Sequence, residues 1–188
     1  NSNFITALRA KDQDGPVITV AGTNPLTIAH GSAYTDAGAT AVDAVNGNRS
    51  VTTNNAVNPN VVGTYAVTYT ASDVAGNNTT SIRTVSVTDQ TPPLITLIGS
   101  NSVQMTYGNT FTDPGAMATD AVDGDLSGYI QIMKPYMVAS AGWSVGTYTL
   151  SYVVSDAAGN VSQTLTRTVQ VAKATPVISA WPTASAIS

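Results

Sequence analysis

The chain has 188 residues and a formal net charge of −4, with 11 acidic side chains against 7 Lys and Arg and no cysteine. That length holds one or two domains, each large enough for its own core, and the missing cysteine excludes a disulfide framework, thiolate chemistry and cysteine-ligated zinc. No basic cluster is present to neutralise phosphates and no apolar run approaches the roughly 20 residues that cross a bilayer, so neither a nucleic-acid partner nor membrane insertion of this segment is expected.

Every acid is an aspartate, and Thr, Val, Ser, Asn and Gly are abundant, which removes the good helix formers and leaves strand and turn residues. In chain order, residues 1–15 read as the last strand of a preceding unit or an N-terminal extension, closing in the polar link "DQDGPVI" (12–18). Short apolar runs follow from Pro16 to Gly47, punctuated by Gly31, Asp36, Gly38 and Asp43. In "TYAVTYT" (64–70) Tyr65, Val67 and Tyr69 share one face while Thr64, Ala66, Thr68 and Thr70 share the other, the pattern of a strand with one wet side. "SDVAGN" (72–77) then reads as a hairpin turn. The Asp73 side chain can accept hydrogen bonds from nearby backbone N–H groups, Gly76 supplies a positive φ and Asn77 tolerates the left-handed region. "RTVSV" (83–87) closes the unit, with Arg83 on the parity of Val85 and Val87.

The same order then returns. Pro93 to Gly124 matches Pro16 to Gly47 without gaps at an offset of 77, "GTYTLSY" (146–152) repeats "GTYAVTY" (63–69), "SDAAGN" (155–160) repeats the turn through Asp156, Gly159 and Asn160, and "RTVQV" (167–171) repeats the closing strand through Arg167. The second copy carries six extra residues before its "GTY" and one more before its "RTV". The array therefore divides into units at 16–89 and 90–173, with residues 174–188 opening a following repeat. Pro92-Pro93 in the link predicts a semi-rigid joint. Each unit offers about seven short segments bounded by Gly, Asn, Asp or Pro, the spacing of an antiparallel β-sandwich.

Taken together, "PVIT" and "PLIT", "YTDAGA" and "FTDPGA", "GTYAVTY" with "SDVAGN", and the closing "RTVSV" resemble the bacterial surface immunoglobulin-like domains, which are similar in pattern to hyalin repeats. The resemblance covers both full units. It implies an all-β fold of two tandem Ig-like sandwiches, used as building blocks of large exported bacterial proteins, and an extracellular or cell-surface location. It does not imply one activity, because such domains serve as stalks, adhesin segments and accessory modules of secreted enzymes.

Tyr65 and Tyr148, in the two "GTY" triplets, stand where a tyrosine corner would pin the connection between sheets. Arg83 and Arg167, at the margin of a core, need carboxylates; Asp36 or Asp73 is available in the first unit and Asp113 or Asp156 in the second. His30 is the sole histidine, its counterpart is Tyr107, and nothing in its surroundings forms a triad, so no catalytic residue is assigned. Asp120, Asp123 and Asp125 are the densest carboxylates and the candidate Ca²⁺ ligands, although the first unit replaces two of them by Asn46 and Asn48 while keeping the turn residues. The insertion at 128–143 collects Tyr129, Tyr136 and Trp143, candidate ligand-binding aromatics, along with Ile130 and Ile132, which read as core-facing.

These residues support a non-catalytic structural spacer of a secreted or surface-displayed bacterial protein, requiring no cofactor, whose partners are neighbouring repeats of the same chain. The alternatives are a carbohydrate- or protein-binding module that uses the second-unit aromatics on a cell-surface glycan or protein, and a filament subunit that self-associates by exchanging terminal strands.

Overall fold

The computed structural model describes residues 12–134 and 143–176. It divides between Gln90 and Thr91 into two compact units. Among the described residues each unit has seven strands, and the one helical element is a single 3₁₀ turn, Ser127–Tyr129. No helix of the described residues is long and apolar enough to cross a membrane.

In the first unit β1 (Val17–Val20), β3 (Ala39–Asp43) and β4 (Gly47–Arg49) form a three-stranded sheet in the order β1-β3-β4. β2 (Leu26–Ala29), β5 (Thr52–Asn55), β6 (Gly63–Ser72) and β7 (Asn78–Thr88) form a four-stranded sheet in the order β2-β7-β6-β5. The second unit repeats this plan. β8 (Leu94–Leu97), β10 (Ala116–Asp120) and β11 (Gly124–Asp125) build the smaller sheet in the order β11-β10-β8. β9 (Ser102–Thr106), β12 (Gln131–Met133), β13 (Gly146–Val153) and β14 (Leu165–Ala172) build the larger one in the order β12-β13-β14-β9.

Each sandwich departs from a purely antiparallel scheme in one place: β2 runs parallel to β7, and β9 parallel to β14. In both units the second strand, which follows a smaller-sheet strand in the chain, lies in the larger sheet beside the last strand, and the two are joined through the rest of the unit as a parallel pair requires.

The alternation in "TYAVTYT" is realised as expected. Val67, Tyr69 and Ala71 on β6 are buried together with Val85 and Val87 on β7, and the register pairs Tyr65 with Val85 and Val67 with Arg83. Leu150, Tyr152, Val154, Val169 and Val171 do the same in the second unit, closed from the smaller sheet by Ile95 and Ala118. Burying each of these valines and leucines is worth about 1.5–3 kcal/mol, which makes the β6–β7 and β13–β14 hairpins the centre of each core.

The hairpin tips differ. In the first unit the ladder runs to Ser72↔Asn78, directly at the turn. In the second it stops at Tyr152↔Leu165, with a separate bridge at Ser155↔Val161. The extra residue in this stretch lets Ser162 turn inward, where its Oγ accepts the Val154 N–H at 3.0 Å. Two side chains of the insertion also part company. Ile130 packs against the core, but Ile132, expected to face inward, is 38% exposed on β12: it is paired with the buried Tyr152, but β12 is the edge strand of its sheet, covered on one side only.

Candidate functional site

Strand parity carries Arg83 and Arg167 into the cores, where they are 1% and 0% exposed. The sequence leaves two aspartates open as partner for each, and the structure selects Asp36 and Asp113. Arg83 Nη1 lies 3.3 Å from Asp36 Oδ1, and Arg167 Nη1 donates to Asp113 Oδ1. Tyr69 completes the first cluster by donating to Asp36 Oδ1 at 2.6 Å, and Tyr152 the second by donating to Asp113 Oδ1 at 2.8 Å. Arg167 also donates from Nε to Ser100 O at 2.9 Å and from Nη2 to Gly115 O at 3.2 Å and to Ile98 O, with its guanidinium 5.5 Å from the Tyr152 ring centroid. Burial, reinforced by the hydrogen bond to the carboxylate, pushes the Tyr69 and Tyr152 hydroxyls up to about 12 each. The role of the two tyrosines was visible in sequence only as core parity. Their hydroxyl partners arrive from a loop 33 or 39 residues away.

Asp73 and Asp156 belong to the turns. Asp73 Oδ1 accepts Asn77 N–H at 2.7 Å and its Oδ2 accepts Asn77 Nδ2 at 2.6 Å. Asp156 holds Asn160 in the same way, at 2.7 Å to N and 2.7 Å to Nδ2. Gly76 and Gly159 sit at φ of 92° and 91°, a region closed to most L side chains. Burial raises both carboxyls, but the Asn side-chain amide, then the Asn N–H and the N–H groups before it, outweigh burial, and both pKa values lie below the ordinary carboxylate range. Tyr65 and Tyr148 make the corner: Tyr65 donates to Val61 O at 2.8 Å and Tyr148 to Ser144 O at 3.0 Å.

The turn aspartate of the first unit has company that its sequence neighbourhood does not show. Side-chain oxygens of Asp12, ahead of β1, Asp43, at the end of β3, and Asp73 all lie within 4.8 Å of one another. Asp43 Oδ1 accepts Val45 N–H at 3.0 Å and Asn46 N–H at 2.6 Å. Its Oδ2, and that of Asp12, are buried with no hydrogen-bond partner. Asn77 Nδ2 reaches beyond its own turn to Asp12 O at 3.1 Å and Asp14 O at 3.3 Å.

The aspartates singled out in the second unit are spread over several tasks. Asp120 Oδ1 accepts Val122 and Asp123 N–H at 2.7 and 3.0 Å, Asp123 Oδ2 accepts Ala157 N–H at 2.9 Å, and Asp125 Oδ1 accepts Ser127 N–H at 2.9 Å. Hydrogen bonds from Ser127, side chain first, hold the Asp125 carboxyl below its ordinary value. Asp123 approaches Asp156 within 4.8 Å, while Asp125 stays with Ser127. Asp123, Asp125 and Tyr129 line an open cleft of about 450 Å³.

The two described aromatic candidates stand in different surroundings. Tyr129 is 72% exposed on the 3₁₀ turn. Trp143 packs against the core, edge to face with Phe111 at 5.5 Å and Tyr148 at 5.0 Å between ring centroids. Tyr136 lies outside the described residues. So do most of the terminal segments proposed for strand exchange. His30 Nε2–H donates to Asn60 O at 3.0 Å, an exposed loop contact.

The repeated unit has a counterpart among known proteins. The family described as "Bacterial surface protein, Ig-like domain" matches residues 18–87 and 95–171, both copies and most of the chain. The chain belongs to this family. Hyalin of Strongylocentrotus purpuratus is 34% identical over 113 residues, covering 56% of this chain and 9% of hyalin. The serine-rich adhesin for platelets of Staphylococcus aureus (strain USA300) is 31% identical over 113 residues, covering 56% of this chain and 5% of the adhesin. The chain thus spans a small part of the curated relatives it matches. Among solved structures, a Bacteroides thetaiotaomicron lipoprotein is 27% identical, with a TM-score of 0.38 over 45% of this chain and 40% of that one.

Proposed function

We propose that this member of the bacterial surface Ig-like family is a non-catalytic spacer segment of a large modular extracellular protein of the adhesin type, displayed on or secreted from a bacterial cell. The parallel pairing of β2 with β7 and of β9 with β14 is the observation that carries the reading. Tension applied through the two ends of a unit pulls the early strand and the last strand in opposite directions along their length. The bridges Leu26↔Val85 to Ala29↔Thr88, and Ser102↔Thr168 to Thr106↔Ala172, then bear load together in shear instead of opening one at a time. The buried clusters support the same reading, since each arginine, its aspartate and its tyrosine are committed to one another inside the core.

Single-molecule pulling on the full chain between inert handles tests this. Two discrete force peaks are expected, one per unit. A featureless extension at low force would overturn the spacer reading. So would saturable, micromolar binding of the chain to a surface glycan or matrix protein that is abolished by Tyr129→Ala, which would establish a binding module centred on the second-unit cleft.

A further inference from the structure

Three loops that are remote in sequence meet at one end of the first unit: the segment ahead of β1, the β3–β4 turn and the β6–β7 hairpin. We propose that Asp12, Asp43 and Asp73, one from each, form a binding site for a hard divalent cation of the calcium class. This site shares no residue with the acidic run of the second unit and does not depend on the spacer reading.

Charge and satisfaction point the same way. Arg83 and Arg167 are paired with Asp36 and Asp113, and among the described residues no cationic side chain pairs with Asp12, Asp43 or Asp73. Asp43 is only 3% exposed, yet its Oδ2 has no donor. A buried carboxylate oxygen left without a donor is costly and uncommon in a folded protein unless an ion completes it. The hydrogen bonds that do form position the ligands without consuming them all. Val45 and Asn46 fix Asp43 through Oδ1 alone, Asp14 N–H takes Asp12 Oδ1 at 3.2 Å, and each leaves its Oδ2 for another partner. Asn77 orients Asp73 and ties the backbone at Asp12 and Asp14 to the same hairpin.

The donor set selects the ion. It offers oxygen only, with no imidazole or thiolate, which disfavours zinc and copper. Calcium accepts six to eight oxygens in irregular arrangements completed by water and carbonyls, whereas magnesium demands a near-ideal octahedron. Ligands drawn from three separate loops suit the more tolerant ion. Its binding would pin the segment that enters the unit to two loops of the sandwich, so that order at this end follows the calcium level outside the cell.

The test is calorimetric titration and thermal melting of the full chain, stripped of metal with chelator, with CaCl₂ and MgCl₂ as separate probes. Asp43→Asn is the informative variant, because its amide oxygen can still accept the Val45 and Asn46 N–H groups and preserve the turn. The wild type should bind calcium with a Kd on the order of 10⁻⁴–10⁻³ M, the range of extracellular modules, and its first unit should melt at a higher temperature when calcium is added. Asp43→Asn should lose one equivalent of binding and the added stability. Asp12→Asn, changed ahead of the first strand and outside the core, should weaken affinity about tenfold or more. Equal calcium binding by the wild type and both variants, no binding to the wild type at about 10 mM, or magnesium binding as tight as calcium would each overturn the proposal.

Discussion

Replacing Arg167 by methionine removes the most completely bonded buried cation of the second unit while keeping much of its apolar stem. In the native core the guanidinium satisfies the Asp113 carboxylate, the Tyr152 hydroxyl and the carbonyls of Ile98, Ser100 and Gly115. After the change Asp113 keeps only the Gly115 N–H at 3.0 Å and the Tyr152 hydroxyl at 2.8 Å, and its charge is buried without compensation. Removing one partner of such a pair costs about 3–5 kcal/mol, against a total of about 5–15 kcal/mol for a domain. For a unit of this size that lowers Tm by about 12 °C or more. Differential scanning calorimetry of the full chain reads the effect, with the first-unit transition as an internal reference. The double variant Arg167→Met, Asp113→Ala removes the stranded charge as well, so its loss should fall short of the sum of the single losses by about 2 kcal/mol. A loss below about 1 kcal/mol in the single variant, or strict additivity in the double, would refute the claim that this pair holds the core.

Tyr148→Phe removes the corner hydrogen bond to Ser144 O and should lower second-unit stability by about 1 kcal/mol, read by urea unfolding as a shift in midpoint at constant slope. Gly76→Val forces a β-branched side chain to a φ of 92° and should cost the first unit about 1–3 kcal/mol, and an unchanged melting temperature would count against the turn geometry. Tyr69 and Tyr152, raised to about 12 by burial and their carboxylate acceptors, should stay protonated in a phenolate absorbance titration while exposed tyrosines ionise near 10. Since the folded values lie above the unfolded value of 10.0, the stability they contribute is complete below pH 10 and is lost as pH rises from there through about 12.

Strand existence, hairpin position and core parity were legible in the residues because they are local. A period of two places Val67 and Tyr69 on one face of their strand, and Arg83 and Val85 on one face of theirs, whatever the rest of the chain does, and the repeated Asp-x-x-Gly-Asn marks a bend because only a few residue types tolerate its backbone. Tertiary structure alone decided which partners meet. Arg83 meets Asp36, while Asp73 stays with Asn77 at its own hairpin, and Trp143 joined Phe111 and Tyr148 at the core where composition had offered it as a binding surface. Asp12, Asp43 and Asp73 form a cluster only because the order of strands in two sheets returns three separate loops to one end of a sandwich. Such convergence is a property of topology, and no window of sequence spans it.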